Sequence, residues 1–316
     1  FTAFIGYEWT PAPTGDNLHR VVIFKDDAET AQKIIPFSAL DSNDPEDLWS
    51  FLENYNLNTG GEAISISHNS NISGGRMFPL KDSYGEPIDR AYADMRNRWE
   101  PLVEATQVKG DSETHPVVSP EDPFADYETW EGNIGRSEMQ RMERISNTGD
   151  CKNSENYKCY RYKKSEADRY KGSYVRPALR RGLEIEKKIG TNPYKFGLIG
   201  STDNHTALTA SAEDNFFGKF LDSEPGPERM KNCMAGCDRP DGDGQGDLWR
   251  NWLITASGYA AVWARENTRE EIFAAMKRKE TYATTGPRMA VRFFGGWNFS
   301  DADSTKPNFI EIGYSK

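Results

Sequence analysis

The apolar segments of this chain are short and separated by helical patterns, and that rhythm constrains the fold more than any other feature. Residues 1–9 and 21–24 read as strands on either side of a Pro/Gly turn. Asp44-Pro45-Glu46-Asp47 supplies an N-cap, a first-turn proline and early acids, which predicts a helix through about residue 54. Strands are expected at 63–67, 102–108 and 196–199, and helices at 89–99, at 175–189 with a stop at Gly190, and from Thr268 to about Lys279. The alternation in 308–316 reads as a further strand. Strand, loop and helix in this succession predict an α/β fold with a mainly parallel sheet or barrel. Two stretches break the rhythm, about 132–172, charged and nearly free of aliphatic residues, and about 221–245, rich in Pro, Gly and Asp. Both read as surface excursions within one domain.

Composition narrows the classes of function. Hydrophobic residues make up 36% and mean hydropathy is −0.77, yet eight Trp, fourteen Tyr and sixteen Phe provide for a substantial core. No apolar run is long enough to span a bilayer; one of the longest is 256–264. Acidic residues outnumber basic ones 49 to 39 and the pI is about 5.1, which argues against a general nucleic-acid surface but leaves room for a local cationic pocket. The four cysteines fall in two close pairs, Cys151/Cys159 and Cys233/Cys237, each in a polar, loop-like stretch. Two small disulfide-closed loops in an oxidising compartment are the favoured reading, and with them a periplasmic or secreted location. A four-cysteine zinc site is the rival, although the spacings match neither a ribbon nor a finger.

Only four histidines are present, so the company of each is informative. His205 lies in Gly200-Ser201-Thr202-Asp203-Asn204-His205, directly after an apolar strand, and residues two apart on extended chain point the same way. Asp203 and His205 are therefore a carboxylate and an imidazole offered from one edge. His68 follows the strand at 63–67, Glu8 sits near the end of the first strand, and His19 stands just before the second. In barrels with parallel strands the functional face lies at the carboxyl ends, so Glu8, His68, Asp203 and His205 form a candidate metal site. The alternative for any one of them is an ordinary polar loop residue. For His115, in Ser112-Glu113-Thr114-His115-Pro116, a solvated loop is at least as good a reading as a pocket wall.

These segments resemble a known family. Phe4-Ile5-Gly6-Tyr7-Glu8-Trp9-Thr10, His19-Arg20, Ser67-His68-Asn69-Ser70-Asn71 and Ser201-Thr202-Asp203-Asn204-His205 are similar to the later metal-binding motifs of the PHP (polymerase and histidinol phosphatase) superfamily of metal-dependent hydrolases. More narrowly, the DUF3604 family is resembled by Gln107-Val108-Lys109-Gly110-Asp111-Ser112-Glu113, Asn215-Phe216-Phe217-Gly218-Lys219, residues 256–273 and Glu280-Thr281-Tyr282-Ala283-Thr284-Thr285-Gly286-Pro287-Arg288. The resemblance covers nearly the whole chain except the two inserts. It implies a distorted (β/α)7 PHP-type barrel over 1–290, incomplete at its N-terminus, with 291–316 beginning a C-terminal extension. It also implies two or three divalent ions (Zn, Mn or Fe), with Glu8 as the bridging carboxylate, His19 and His68 as imidazole ligands, and Asp203 and His205 as the closing pair. The superfamily's opening His-x-His has no counterpart in this sequence, which starts seven residues before Glu8. The remaining ligands are therefore expected from an upstream segment; a degenerate, non-catalytic member is the alternative.

The activity so implied is hydrolysis of a small anionic ester by a metal-activated bridging hydroxide, with a phosphate mono- or diester first and a sulfate ester as the nearest isosteric alternative. Arg20, Arg76 and Lys109 lie inside or beside the motifs and are candidates for clamping the anion, against the alternative of plain surface charges. A ligand-binding protein without turnover is the rival class. Separately, Asp241, Asp243 and Asp247 alternate with other residues as in a calcium loop, but Trp252 stands where a bidentate Glu would close it, so a flexible Gly/Asp loop is the stronger reading.

Overall fold

The computed structural model describes residues 2–116, 118–127, 168–205, 219–220, 226–227, 233–235, 249–250 and 258–316. The first half contains β1 (Ile5–Trp9), β2 (Arg20–Phe24), α1 (Ala28–Ala31), α2 (Pro45–Thr59), β3 (Ala63–Ser67), α3 (Arg90–Trp99), β4 (Leu102–Gln107) and β5 (Gly110–Asp111). It is followed by α4 (Val175–Ile189), β6 (Gly197–Gly200), β7 (Cys233–Ala235), β8 (Trp249–Arg250), β9 (Tyr259–Val262), α5 (Arg269–Lys277), β10 (Thr281–Thr284) and α6 (Phe309–Ser315). Side-chain caps set the helix starts: Asp44 accepts from Glu46 N at 2.9 Å and Asp89 from Tyr92 N at 2.8 Å. Gly60 closes α2 at φ +71°, a left-handed position that costs glycine little.

The principal sheet is mixed rather than mainly parallel, which corrects the expectation from rhythm alone. β2 runs antiparallel to both β1 and β3, while β4 is parallel to β3 and to β6; β5 folds back antiparallel on the end of β4. α3 lies in the crossover from β3 to β4, and α4 in the one that leads to β6, as parallel pairing requires. Between β2 and β3 the chain instead travels out and back through α1 and α2, re-entering beside its exit with Lys25 N donating to Glu62 O at 2.9 Å. Among the described residues the sheet does not close into a barrel. β9 and β10 form an antiparallel pair laid against β6, where a Cβ on Gly200 would stand 2.7 Å from Thr284 O and 2.8 Å from Tyr259 N.

Alternation along the strands separates two cores. Val22, Phe24, Ala63 and Val103 face a large cluster with Leu48, Trp49 and Leu52 of α2, Tyr92 and Trp99 of α3, and Val175 and Ile185 of α4. Their neighbours Val21, Ile23, Ile64, Ile66 and Leu102 face a smaller one with Phe273 and Met276 of α5. The result is a three-layer arrangement of helix, sheet and helix. The stretch 308–316 is not a strand: Phe309–Ser315 form α6, which follows a turn tied together by Asp303 and pairs with no strand among the described residues. Asp303 accepts from Ser300 N at 2.9 Å and pairs with Lys306 at 2.8 Å and Lys316 at 2.6 Å. Cys151, Cys159, Cys237 and the Asp241–Asp243–Asp247 loop lie outside the described residues, and Cys233 is described only as backbone in β7.

Candidate metal centre

The mixed topology brings the chemistry to one end of the sheet. β1, β3, β4 and β6 end there, and β2, running the other way, begins there. Glu8, His68, Asp203 and His205 come to this end as expected, and His19 joins them because β2 is antiparallel. Glu8 Oε1 lies 2.8 Å from His19 Nδ1 and 3.7 Å from His68 Nε2; His68 Nε2 lies 3.5 Å from Asp203 Oδ1, and His205 Nε2 3.0 Å from the same oxygen. The His19 and His68 rings stack with centroids 6.4 Å apart. Asn69 and Asp203, in the two loops that carry the site, hold φ of +55° and +50°. Left-handed conformations away from glycine cost on the order of 1 kcal/mol or more and gather at functional loops.

A residue not singled out in the sequence completes the arrangement. Glu104 of β4, 2% exposed, contacts His68 Nδ1 through Oε2 at 2.8 Å. The other ring nitrogen, His68 Nε2, is buried with no hydrogen-bond partner among the described residues and faces Glu8 and Asp203 at the ion-pair distances above. A carboxylate on one imidazole nitrogen, with the other aimed at a group of anionic oxygens, is the pattern that orients a metal-ligating histidine. The spacing tests the fit further: around a tetrahedral ion with bonds of roughly 2.1 Å, neighbouring ligand atoms stand about 3.4 Å apart. The separations from 2.8 to 3.7 Å along His19, Glu8, His68, Asp203 and His205 bracket that value. Among the described residues no group of three or more His, Cys, Asp or Glu side chains is placed so as to hold a metal ion. By its chemistry alone, imidazole nitrogens and carboxylate oxygens around the orphaned Nε2 of His68, the donor set is of the kind that takes a divalent cation.

Electrostatics runs the same way. Burial would raise the Glu8 carboxyl pKa, but its bond to His19 and the charges of His68 and Lys109 outweigh burial and bring it to about 2. Burial disfavours the His68 imidazolium, yet Glu104 and Asp203 overcome it and lift the pKa to about 9. Asp203, opposed by burial but surrounded by His205, His68 and Lys109, is held well below the usual carboxylate range. Ionised carboxylates facing a buried imidazole are a site arranged around positive charge.

The three anion-clamp candidates separate. Lys109 is in the cluster, its Nζ 2.9 Å from Asp203 Oδ2. Arg20 is not: its guanidinium is fully buried, donates through Nε to Glu100 at 2.8 Å and lies 5.8 Å from the Trp9 ring. The reason is strand parity, since Arg20 shares the face of Val22 and Phe24 while His19 shares that of Val21 and Ile23. Arg76 pairs with Asp16 at 2.9 Å and lines a groove of about 830 Å³ whose walls include Tyr92, Arg169 and Arg181 but none of the cluster residues. His115 stays apart as well, its ring centroid 6.3 Å from that of Tyr174; burial brings its pKa down to about 4. Lys219, unassigned from sequence, is drawn in: its Nζ meets Asp203 Oδ2 and lies 2.9 Å from His205 Nε2.

A family model described as "Protein of unknown function (DUF3604)" matches residues 1–150 and 135–316. The chain belongs to the DUF3604 family. No curated protein and no solved structure matches it. The DUF3604 assignment carries no activity with it.

Proposed function

We propose that this chain is a metal-dependent hydrolase of small anionic esters, a phosphoesterase acting on phosphate mono- or diesters, and a member of the PHP superfamily with that superfamily's distorted barrel. The observation that carries the reading is His68, fixed at Nδ1 by buried Glu104 while its Nε2, with no hydrogen-bond partner among the described residues, faces Glu8 and Asp203. Glu8, His19, His68, Asp203 and His205 would hold two or three divalent ions (zinc, manganese or iron). Such ions, when bound, supply Lewis acidity and a nucleophile at neutral pH. The chain's own contribution is placement. Glu104 fixes the ring of His68, Glu8 bridges His19 and His68, and Lys109 offers positive charge where an ester oxyanion develops its own. The paired cysteines motivate a periplasmic or secreted location, and no described helix is long and apolar enough to cross a membrane.

Metal content of the purified protein by plasma mass spectrometry, with turnover of p-nitrophenyl phosphate, bis-p-nitrophenyl phosphate and p-nitrophenyl sulfate, tests the proposal. Bound metal and phosphatase or phosphodiesterase turnover are expected, both abolished in Asp203→Ala and His205→Ala. Turnover of the sulfate alone would replace the phosphoester with the isosteric sulfate ester. Protein that stays metal-free and inert after incubation with zinc or manganese would defeat the reading.

A further inference from the structure

Two ammonium groups converge on a single carboxylate oxygen at the rim of the cluster. Lys109 Nζ stands 2.9 Å from Asp203 Oδ2, and Lys219 Nζ meets the same oxygen while donating to the Asp203 main-chain carbonyl at 2.8 Å. The two lysine side chains are only 11% and 3% exposed. Neither ammonium is carried on a loose tether. Lys109 is held through its main chain, with N donating to Gln107 Oε1 and O accepting from Asn71 Nδ2 at 3.3 Å. The Lys219 carbonyl accepts from His205 N at 2.9 Å.

The charge count shows what such a pair is for. Among the described residues, Glu8, Glu104 and Asp203 against Lys109 and Lys219 leave one net negative charge once a bound cation has displaced the extra proton of His68. A single divalent cation reverses that sign, and a second leaves a buried site with three excess positive charges. An anion must then enter, and the ammonium groups stand where it can be met.

We propose that Lys109 and Lys219 form a paired ammonium seat for the tetrahedral oxyanion of the substrate, a phosphoryl or sulfuryl group, made available when Asp203 turns from the lysines to a bound cation. The inference rests on the metal-dependent reading above and deepens it by placing the substrate's anionic end. A point charge with three rotatable donors suits a tetrahedral group presenting several oxygens, and two such charges favour a dianion over a monoanion.

The test is calorimetric titration of inorganic phosphate and, separately, of sulfate into zinc-loaded protein, beside titration of zinc into the metal-free protein. Both anions should bind the zinc-loaded protein, each being a tetrahedral dianion in mildly alkaline buffer. Lys219→Met and Lys109→Met should each weaken phosphate binding by about 10- to 100-fold, the scale of a lost charge-assisted hydrogen bond. Both should bind zinc as tightly as the parent or more so, because a competing cation has gone. Lys219→Arg, which keeps the charge and guards against a folding defect in the Met variant, should retain most of the phosphate affinity. Variants that bind zinc and still take phosphate with parental affinity would overturn the seat alone. A parent protein that binds no zinc would overturn the metal-dependent reading, and the seat with it.

Discussion

Glu104 does for His68 what no other described residue does. Its carboxylate is 3% exposed and takes His68 Nδ1 at 2.8 Å, so the ring cannot turn without stranding a buried charge. Glu104→Gln keeps the shape but loses the charge and the preference for the tautomer with Nε2 free. It should lower zinc affinity by about 10- to 100-fold, measured by competition with a chromogenic chelator, while leaving the unfolding transition cooperative. An unchanged affinity would separate Glu104 from the centre. Lone acids inside an apolar strand are easily read as solvated, and Leu102-Val103-Glu104-Ala105 offers no motif. A signal was nevertheless present: Glu104 shares its face with Leu102, which is core, so its carboxylate had to be satisfied indoors. The same parity argument applied to His19-Arg20 would have sent Arg20 to the other face. Glu8, His68, Asp203 and His205 were legible because each ends or follows a strand that its own apolar run defines.

The elements show why secondary structure was easier to read than topology. Caps and breakers are local, so α2, α3, α4 and α5 begin and end close to where Asp44, Asp89, Gly190 and Thr268 mark them. Strand direction is not local, and nothing in residues 25–62 declares that two helical segments will return the chain antiparallel. The α6 error is of the same kind, since alternation of Ile310, Ile312 and Tyr314 suits a strand only where an edge is free. At the junction of β6 with the β9–β10 pair, backbone approaches backbone so closely that only glycine fits. Gly200→Ala would place a methyl 2.7 Å from Thr284 O and 2.8 Å from Tyr259 N and O, all main-chain atoms with little freedom to move. It should destabilise the protein by roughly 1–3 kcal/mol in urea denaturation. Because Ser201 follows directly and supports Asp203 N at 3.0 Å, zinc affinity should fall with it; a neutral substitution would show the pair to be loosely docked.

Across the whole molecule, Glu100 ties the layers together. It accepts from Arg20 of β2 at 2.8 Å, Trp49 of α2 at 3.0 Å, Ser67 of β3 at 3.0 Å and Arg96 of α3 at 2.9 Å. Burial would raise its pKa, but Arg20 and Arg96 outweigh burial and hold it at about 2. The folded value lies below the value near 4.3 of an unfolded glutamate, so the stabilisation is complete above that pH and drains away as pH falls towards 2. Urea unfolding between pH 6 and pH 2 should show Glu100→Gln losing on the order of 3 kcal/mol less than the parent, the losses through Glu8 and Asp203 being common to both. That variant should itself lose roughly 3–5 kcal/mol at pH 7, since two buried guanidinium groups forfeit their anion. Equal acid sensitivity in both proteins would assign the loss to other carboxylates.

The alternation in β2 has one more consequence. His19 and Arg20 are covalent neighbours serving opposite sides of one wall, the first bound to Glu8 and the second to Glu100. A one-residue slip of this strand would exchange them, pushing a guanidinium among the would-be ligands and an imidazole into the aromatic interior. No register therefore preserves one side at the expense of the other. The centre cannot form on a misfolded sheet, and the sheet cannot settle with its centre scrambled, so binding competence and native packing should be gained and lost as a single event.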